Sequence, residues 1–285
     1  MKFLICGLGH MGKIHKKYLE NLNVEWMYYD PYYTEDLGHQ LLDLKKHADF
    51  DITHVIVSSV EEKHYENYNT LRNSGFTGPI LLEKPAVLFE DQFKVFEDEK
   101  VSVGLVERHN PVIDILKNNI VISDVISVDF TRCSVKSVSN KRVDTFTDVG
   151  IHDLDLYFYL FNKKQSPSDY HFSWFSNTFN LAIKEKEGFM SRFMWSNETS
   201  FKERKIVVRH GSFTLTADLI RQEVTKASAD ESGRCITQNI YVEKGSSILN
   251  QILKFKKHGI TCKGFESHKF YLNLRRKISD HKPSL

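Results

Sequence analysis

The chain has 285 residues, 41% of them hydrophobic and 27% charged, with a formal net charge of +2. That length allows two ordinary domains, each with its own core. A near-neutral balance without long runs of like charge excludes nucleic acid as the main partner, since backbone binding needs a concentrated basic footprint.

No apolar run approaches the ~18 residues of a membrane-spanning helix, so no membrane partner is expected. The opening "MKFLICGLGHMG" lacks the pattern of a secretory signal. Cys6, Cys133, Cys235 and Cys262 lie far apart with no C-x-x-C pair. This fits reduced thiols of a cytoplasmic protein, with neither a disulfide framework nor a zinc site. The thirteen histidines are scattered without metal-ligand spacing, so no metal is expected. "KERK" (202–205) and "LRRK" (274–277) read as solvated faces.

In chain order, "KFLIC" (2–6) is a short apolar run with the look of a buried parallel strand. "GLGHMG" follows, then a helical pattern carried by Ile14, Tyr18, Leu19 and Leu22. Strand, G-x-G-x-x-G and helix form a dinucleotide-binding turn: Gly7 for the tight bend, Gly9 for approach of a pyrophosphate, Gly12 for helix–strand packing. Amides at the helix start favour an anion. The next strand (24–30) ends in Asp30, 18 residues beyond Gly12, placed to accept hydrogen bonds from ribose hydroxyls. An acid there repels a 2′-phosphate, and Pro31-Tyr32 offers no cation, which favours NAD over NADP. A third strand (51–60) carries Ser58 and Ser59, small polar residues suited to a cofactor crevice. A helix (62–75) closes at Gly75. A fourth strand (78–87) ends in Glu83-Lys84-Pro85, and 100–111 gives a fifth. This alternation predicts a parallel, doubly wound Rossmann sheet with ligands beyond its carboxyl edge. Lys84 lies on that edge, where it either sits in a solvated loop or hydrogen-bonds a substrate oxygen.

After Pro111 the pattern changes. A helix (111–120) precedes a half-buried strand (125–135), whose Ile126, Val128 and Phe130 alternate with polar neighbours. A polar loop (136–147) leads to a helix over roughly 148–161, "DVGIHDLDLY…", with Asp148, His152 and Asp155 at i, i+4 and i+7 on one face. Strands follow at 171–183, 188–197, 203–210, 212–217 and 235–243, with Gly211-Ser212 in a hairpin turn. Two amphipathic helices end the chain, at about 246–257 and 264–280. The second half is therefore an α/β domain with an open, mainly antiparallel sheet. The expected division is a Rossmann domain over 1–108 and a substrate-binding and oligomerisation domain over 109–285.

Together these stretches resemble the glucose–fructose oxidoreductase / inositol dehydrogenase / rhizopine catabolism (Gfo/Idh/MocA) family. "GLGHMGKIH" meets its opening pattern, with His10, Met11 and His15 in place; Glu83, Lys84 and Pro85 meet its E-K-P signature; "DVGIHDLD" meets its D-x-G-x-H-x-x-D helix. "VGLVERHNP" is similar to a segment of the branch acting on nucleotide-activated amino sugars, with His109 replacing a phenylalanine. The small-residue strand end is "SSV" without the usual proline, and the chain is shorter than most members. The resemblance implies a nicotinamide cofactor, cofactor contacts that include His10, Met11, Ser59 and Glu83, a sugar or nucleotide-sugar substrate, and homodimers or homotetramers. It carries a catalytic trio onto Lys84, Asp148 and His152.

The implied activity is an NAD-dependent oxidoreductase interconverting a carbinol and a keto carbon. An imidazole suits the proton transfer, so His152 is the expected general base/acid. Lys84 would stabilise charge on the oxygen, Asp148 would orient the substrate or His152, and Asp155 would satisfy nearby donors. A lone histidine on an apolar helix is more often structural; Lys84, Asp148 and the resemblance reverse that here. Arg142, with Lys136 and Lys141, either reaches a nucleotide-sugar phosphate or is merely solvated. A reductase of non-sugar substrates and a non-catalytic NAD-binding regulator stay open as alternatives.

Overall fold

The computed structural model describes residues 1–35, 37–135 and 145–281. Contacts gather the chain into two compact units, Met1–Val106 with Ile248–His268, and Glu107–Ser247 with the residues from Lys269 onward.

The first unit is built on a five-stranded parallel sheet of β1 (Lys2–Cys6), β2 (Glu25–Tyr29), β3 (His54–Val57), β4 (Ile80–Leu82) and β5 (Val101–Val103). Its order is β2-β1-β3-β4-β5. The inner strands are covered on both faces, which is why they read as continuous apolar runs rather than alternating ones. Cys6 pairs with Val57, Val57 with Leu82, and Leu82 with Val103. The next residue after each strand (Gly7, Ser58, Glu83, Gly104) therefore emerges on one edge. Helices α1 (His10–Asn21) and α2 (His64–Asn73) follow the first and third strands.

The contacts divide the chain differently from the contiguous split at 108/109. Helix α5 (Ser247–His258) buries Ile252 and Phe255 in the first unit's core, with Phe3, Ile5, Leu19 and Ile56. The Phe3 ring stacks on His54 at 4.7 Å and meets Phe255 edge-on at 6.1 Å. Burying each such side chain is worth about 1.5–3 kcal/mol. Spacing reveals that a helix has an apolar face; it does not say which sheet that face covers.

The second unit carries an eight-stranded sheet, order β13-β12-β11-β10-β6-β9-β8-β7. Its strands are β6 (Val125–Cys133), β7 (Tyr170–Phe175), β8 (Thr178–Lys184), β9 (Met190–Ser196), β10 (Glu203–His210), β11 (Phe213–Asp218), β12 (Glu223–Ala229) and β13 (Cys235–Ile240). All neighbours are antiparallel except β6 and β9. Helix α3 (Pro111–Asn119) starts on Asn110, whose side chain accepts the Val112 amide, with proline at the first helical position. Helices α4 (Ile151–Leu160) and α6 (Phe265–His281) complete the set, α6 joining this unit from Lys269.

Four features depart from expectation. The single strand at 171–183 is a hairpin, because Ser176 turns at φ 54° and brings Phe175 opposite Thr178. Strand β12 was not anticipated: "EVTKASA" is too polar to signal a strand and is one only through pairing with β11 and β13. Ile126 points outward, 60% exposed, because the β6–β10 ladder slips between Arg209 and His210 and bulges there. The fourth departure is the helix expected from 148, which opens instead with a π turn, Phe146–Gly150, before α4 begins. The Phe146 ring occupies the space of a Cβ at Gly150, 2.6 Å from where it would stand. Phe146 is itself fixed by Trp195 and Tyr271, 5.4 and 5.3 Å away between centroids.

Candidate functional site

In the first unit the turn after β1 has the form that its glycines require. Gly7 sits at φ 94°, and a Cβ there would come within 2.5 Å of the Ser59 backbone. A Cβ on Gly12 would collide with the Gly7 carbonyl oxygen. At Gly9, by contrast, an added Cβ would meet nothing within 4 Å. Gly9 leads into α1, whose first amides receive no side-chain cap. Open space in front of uncapped amides at a helix start is a cradle for an anion.

Asp30 is tied to this turn: Oδ2 accepts the Leu8 amide at 2.8 Å and Oδ1 the Tyr32 amide at 2.9 Å. A carboxylate oxygen has two lone-pair sites, so each keeps capacity for one hydroxyl donor. A cradle for phosphates beside an acid for ribose hydroxyls fits a dinucleotide. Ser58 is used differently from expectation. Its buried hydroxyl donates to the Gly7 carbonyl at 2.9 Å and braces the turn. Ser59 Oγ accepts from Asn67 at 3.0 Å. His10 is exposed at the start of α1 and Met11 is half-buried.

Two strands along the same edge, Glu83 follows β4. It is 6% exposed, and its Oε1 lies 2.7 Å from His15 Nε2 on α1. Burial pushes its carboxyl up, but the His15 hydrogen bond and the positive field of His15, Lys84 and His64 outweigh this and hold it below the usual range. Packed against Gly104, Glu83 supports the loop from within, a use its resemblance-based cofactor role did not anticipate. Lys84 is half-buried between buried neighbours, and the Lys84–Pro85 peptide is cis.

In the second unit, Asp148 lies exposed on the π turn, while His152 and Asp155 on α4 are buried. The three do not share one buried face as the spacing suggested, since the π turn intervenes. Asp155 takes a two-pronged bond from Arg108, both contacts 2.6 Å. Asp153, unremarked in the sequence, anchors a buried network. Its carboxylate accepts from Arg132 Nη2 at 2.6 Å and from the Trp195 indole at 2.9 Å. Arg132 Nη1 and Arg204 Nη1 both donate to Glu107 Oε1, at 2.9 and 2.8 Å. Burial opposes the charge of Arg132, yet Asp153 and Glu107 hold its guanidinium more firmly protonated than usual. Burial and Arg132 lower Arg204, against the pull of Glu107, Asp153 and Asp148, which places Arg204 in the field of Asp148. A readable signal for this network existed: Arg132 follows Val128 and Phe130 at inward-facing alternation on β6. Arg142, Lys136 and Lys141 lie outside the described residues. Among the described residues no three His, Cys, Asp or Glu gather to hold a metal, and no helix is long and apolar enough to cross a membrane.

Fold and turn define a Rossmann-type unit in one chain with an α/β unit built on an open sheet. No protein-family model and no curated protein matches the chain. Solved structures do. UDP-N-acetylglucosamine 3-dehydrogenase GnnA from Acidithiobacillus ferrooxidans superposes with TM-score 0.82 at 14% identity, covering 97% of this chain and 96% of that one. The dehydrogenase MviM from Clostridium difficile gives 0.75 at 19% identity, covering 98% and 99%. Levoglucosan dehydrogenase gives 0.78 at 14%, covering 98% and 96%. The chain thus shares its fold with these dehydrogenase structures.

Proposed function

We propose that the protein is an NAD-dependent oxidoreductase interconverting a carbinol and a keto carbon of a sugar, with a nucleotide-linked amino sugar as substrate. The observation that carries this reading is the turn itself: open space before the uncapped start of α1 at Gly9, with Asp30 bonded to the Leu8 amide alongside. The α1 amides would hold the pyrophosphate, and Asp30 the adenosine ribose, where its charge disfavours a 2′-phosphate. A bound nicotinamide supplies hydride exchange. The chain's own part is to orient the sugar and move its hydroxyl proton. His152 takes or returns that proton, Lys84 hydrogen-bonds the oxygen as its charge changes, and Asp148 orients the substrate. The amino-sugar assignment draws on the "VGLVERHNP" segment and on the fold shared with a protein named as a UDP-N-acetylglucosamine dehydrogenase.

The test is turnover with NAD or NADP on UDP-N-acetylglucosamine and on free N-acetylglucosamine. The reading expects reduced nicotinamide from NAD with the nucleotide-linked sugar preferred. Equal use of both cofactors would remove the Asp30 argument, and equal use of both sugars would remove the nucleotide.

A further inference from the structure

Three buried histidines of the first unit each hold a different residue of the loop Glu83–Ala86. His15 bonds the Glu83 carboxylate. His268 Nε2 accepts the Ala86 amide at 3.1 Å. A ring nitrogen that accepts carries no proton, so His268 bears its N–H on Nδ1, which lies 3.0 Å from the Gly264 carbonyl. His64, at the start of α2, is bonded differently. Its Nδ1 is 2.9 Å from the Pro85 carbonyl oxygen and its Nε2 is 2.9 Å from the Ser59 carbonyl oxygen.

Neither carbonyl can donate, so each bond needs an N–H on the ring. A neutral imidazole has one. The ring is 2% exposed, leaving little room for water to stand in. A nitrogen facing a carbonyl at that distance without a proton would set two lone pairs against each other inside the protein. The buried Glu83 carboxylate supplies the matching negative charge, and His64 is among the groups that favour its ionised form.

We infer that His64 is a two-donor imidazolium bolt that ties the residue after β3's end region, Ser59, to Pro85, and thereby positions Lys84 between two fixed neighbours. The inference rests on the role given to Lys84 above. His64 acts through the loop and is a positioning residue. Its loss lets Pro85 shift, and displacements of ~1 Å in a reacting group cost up to about 10²-fold in rate.

The experiment has a spectroscopic arm and a kinetic arm, both on the full chain. Two-bond 1H–15N spectra at neutral pH are expected to show both ring nitrogens of His64 protonated and His268 protonated on Nδ1 alone; His64→Gln assigns the signal by its disappearance. In kinetics, His64→Leu is expected to lower kcat by about 10- to 100-fold, with the NAD dissociation constant little changed. His64→Gln, whose amide nitrogen can donate to one of the two carbonyls, is expected to recover part of the loss. An unprotonated nitrogen on His64, or a Gln variant no better than Leu, overturns the inference. Absence of turnover on every sugar would count against the proposed function, while the spectrum would still decide the state of His64.

Discussion

The two units bury carboxylates by different means. In the second, Asp153 and Glu107 are held by Arg132, a guanidinium that stays charged at any pH the protein meets. In the first, Glu83 is held by His15, and the loop beyond it by the imidazoles of His64 and His268. The arginine network suits architecture: it pins α4 to the β6–β9 face through Asp153 and Trp195. The histidines hold Glu83, Pro85 and Ala86, the residues on either side of Lys84. His152 and Asp153 lie side by side on one helix, both buried, and Asp153 is held by the guanidinium of Arg132.

His152→Ala is the sharpest way to test the contrast. Turnover should fall by roughly 10²–10⁴-fold, the scale of a lost general acid/base, while NAD still binds and the unfolding midpoint moves little. Unchanged turnover in the purified variant would place His152 with the scaffold. Arg132→Met should act in the opposite sense. It leaves Asp153 and Glu107 buried without their main counter-charge, a loss of about 3–5 kcal/mol in urea unfolding. A variant as stable as the parent would show that Arg204 and Trp195 suffice.

How legible this was in the sequence depended on whether the deciding contacts were local. The glycine turn could be read because Gly7 must bend through a positive φ and Gly12 must clear the Gly7 carbonyl, both demands made within the turn, although the backbone nearest to Gly7 is the distant Ser59. The position of Asp30 beside the turn could be read because strand length fixes its distance from the glycines. The pairing of His15 with Glu83 could not, since it joins residues 68 apart that belong to separate motifs. Asp153 was hidden because its partners sit on other strands, and β12 because only its neighbours make it a strand. The i, i+4, i+7 spacing of Asp148, His152 and Asp155 was true of the sequence and misleading for the structure. The first turn is a π turn, with Phe146 packed over Gly150, and Asp148 lies outside the buried face.

The smallest effect concerns acid. Glu83 and Glu107 both have folded carboxyls below the ordinary value of 4.5, each because cations outweigh the upward push of burial: chiefly the His15 hydrogen bond at Glu83, Arg132 and Arg204 at Glu107. A depressed carboxyl contributes stability that is fully present above its unfolded pKa and is lost as pH falls through the folded one. The stability that these two carboxylates contribute should therefore be flat through neutrality and decline on acidification below about 4.5. Glu83→Gln keeps an acceptor for His15 but removes the charge. It should cost about 1 kcal/mol at neutral pH, the scale of one hydrogen bond, and the gap to the parent should close as the pH drops. A gap that stays constant down the acid limb would mean that Glu83 is held by packing against Gly104 rather than by charge, and the difference drawn between the two units would then rest on the second alone.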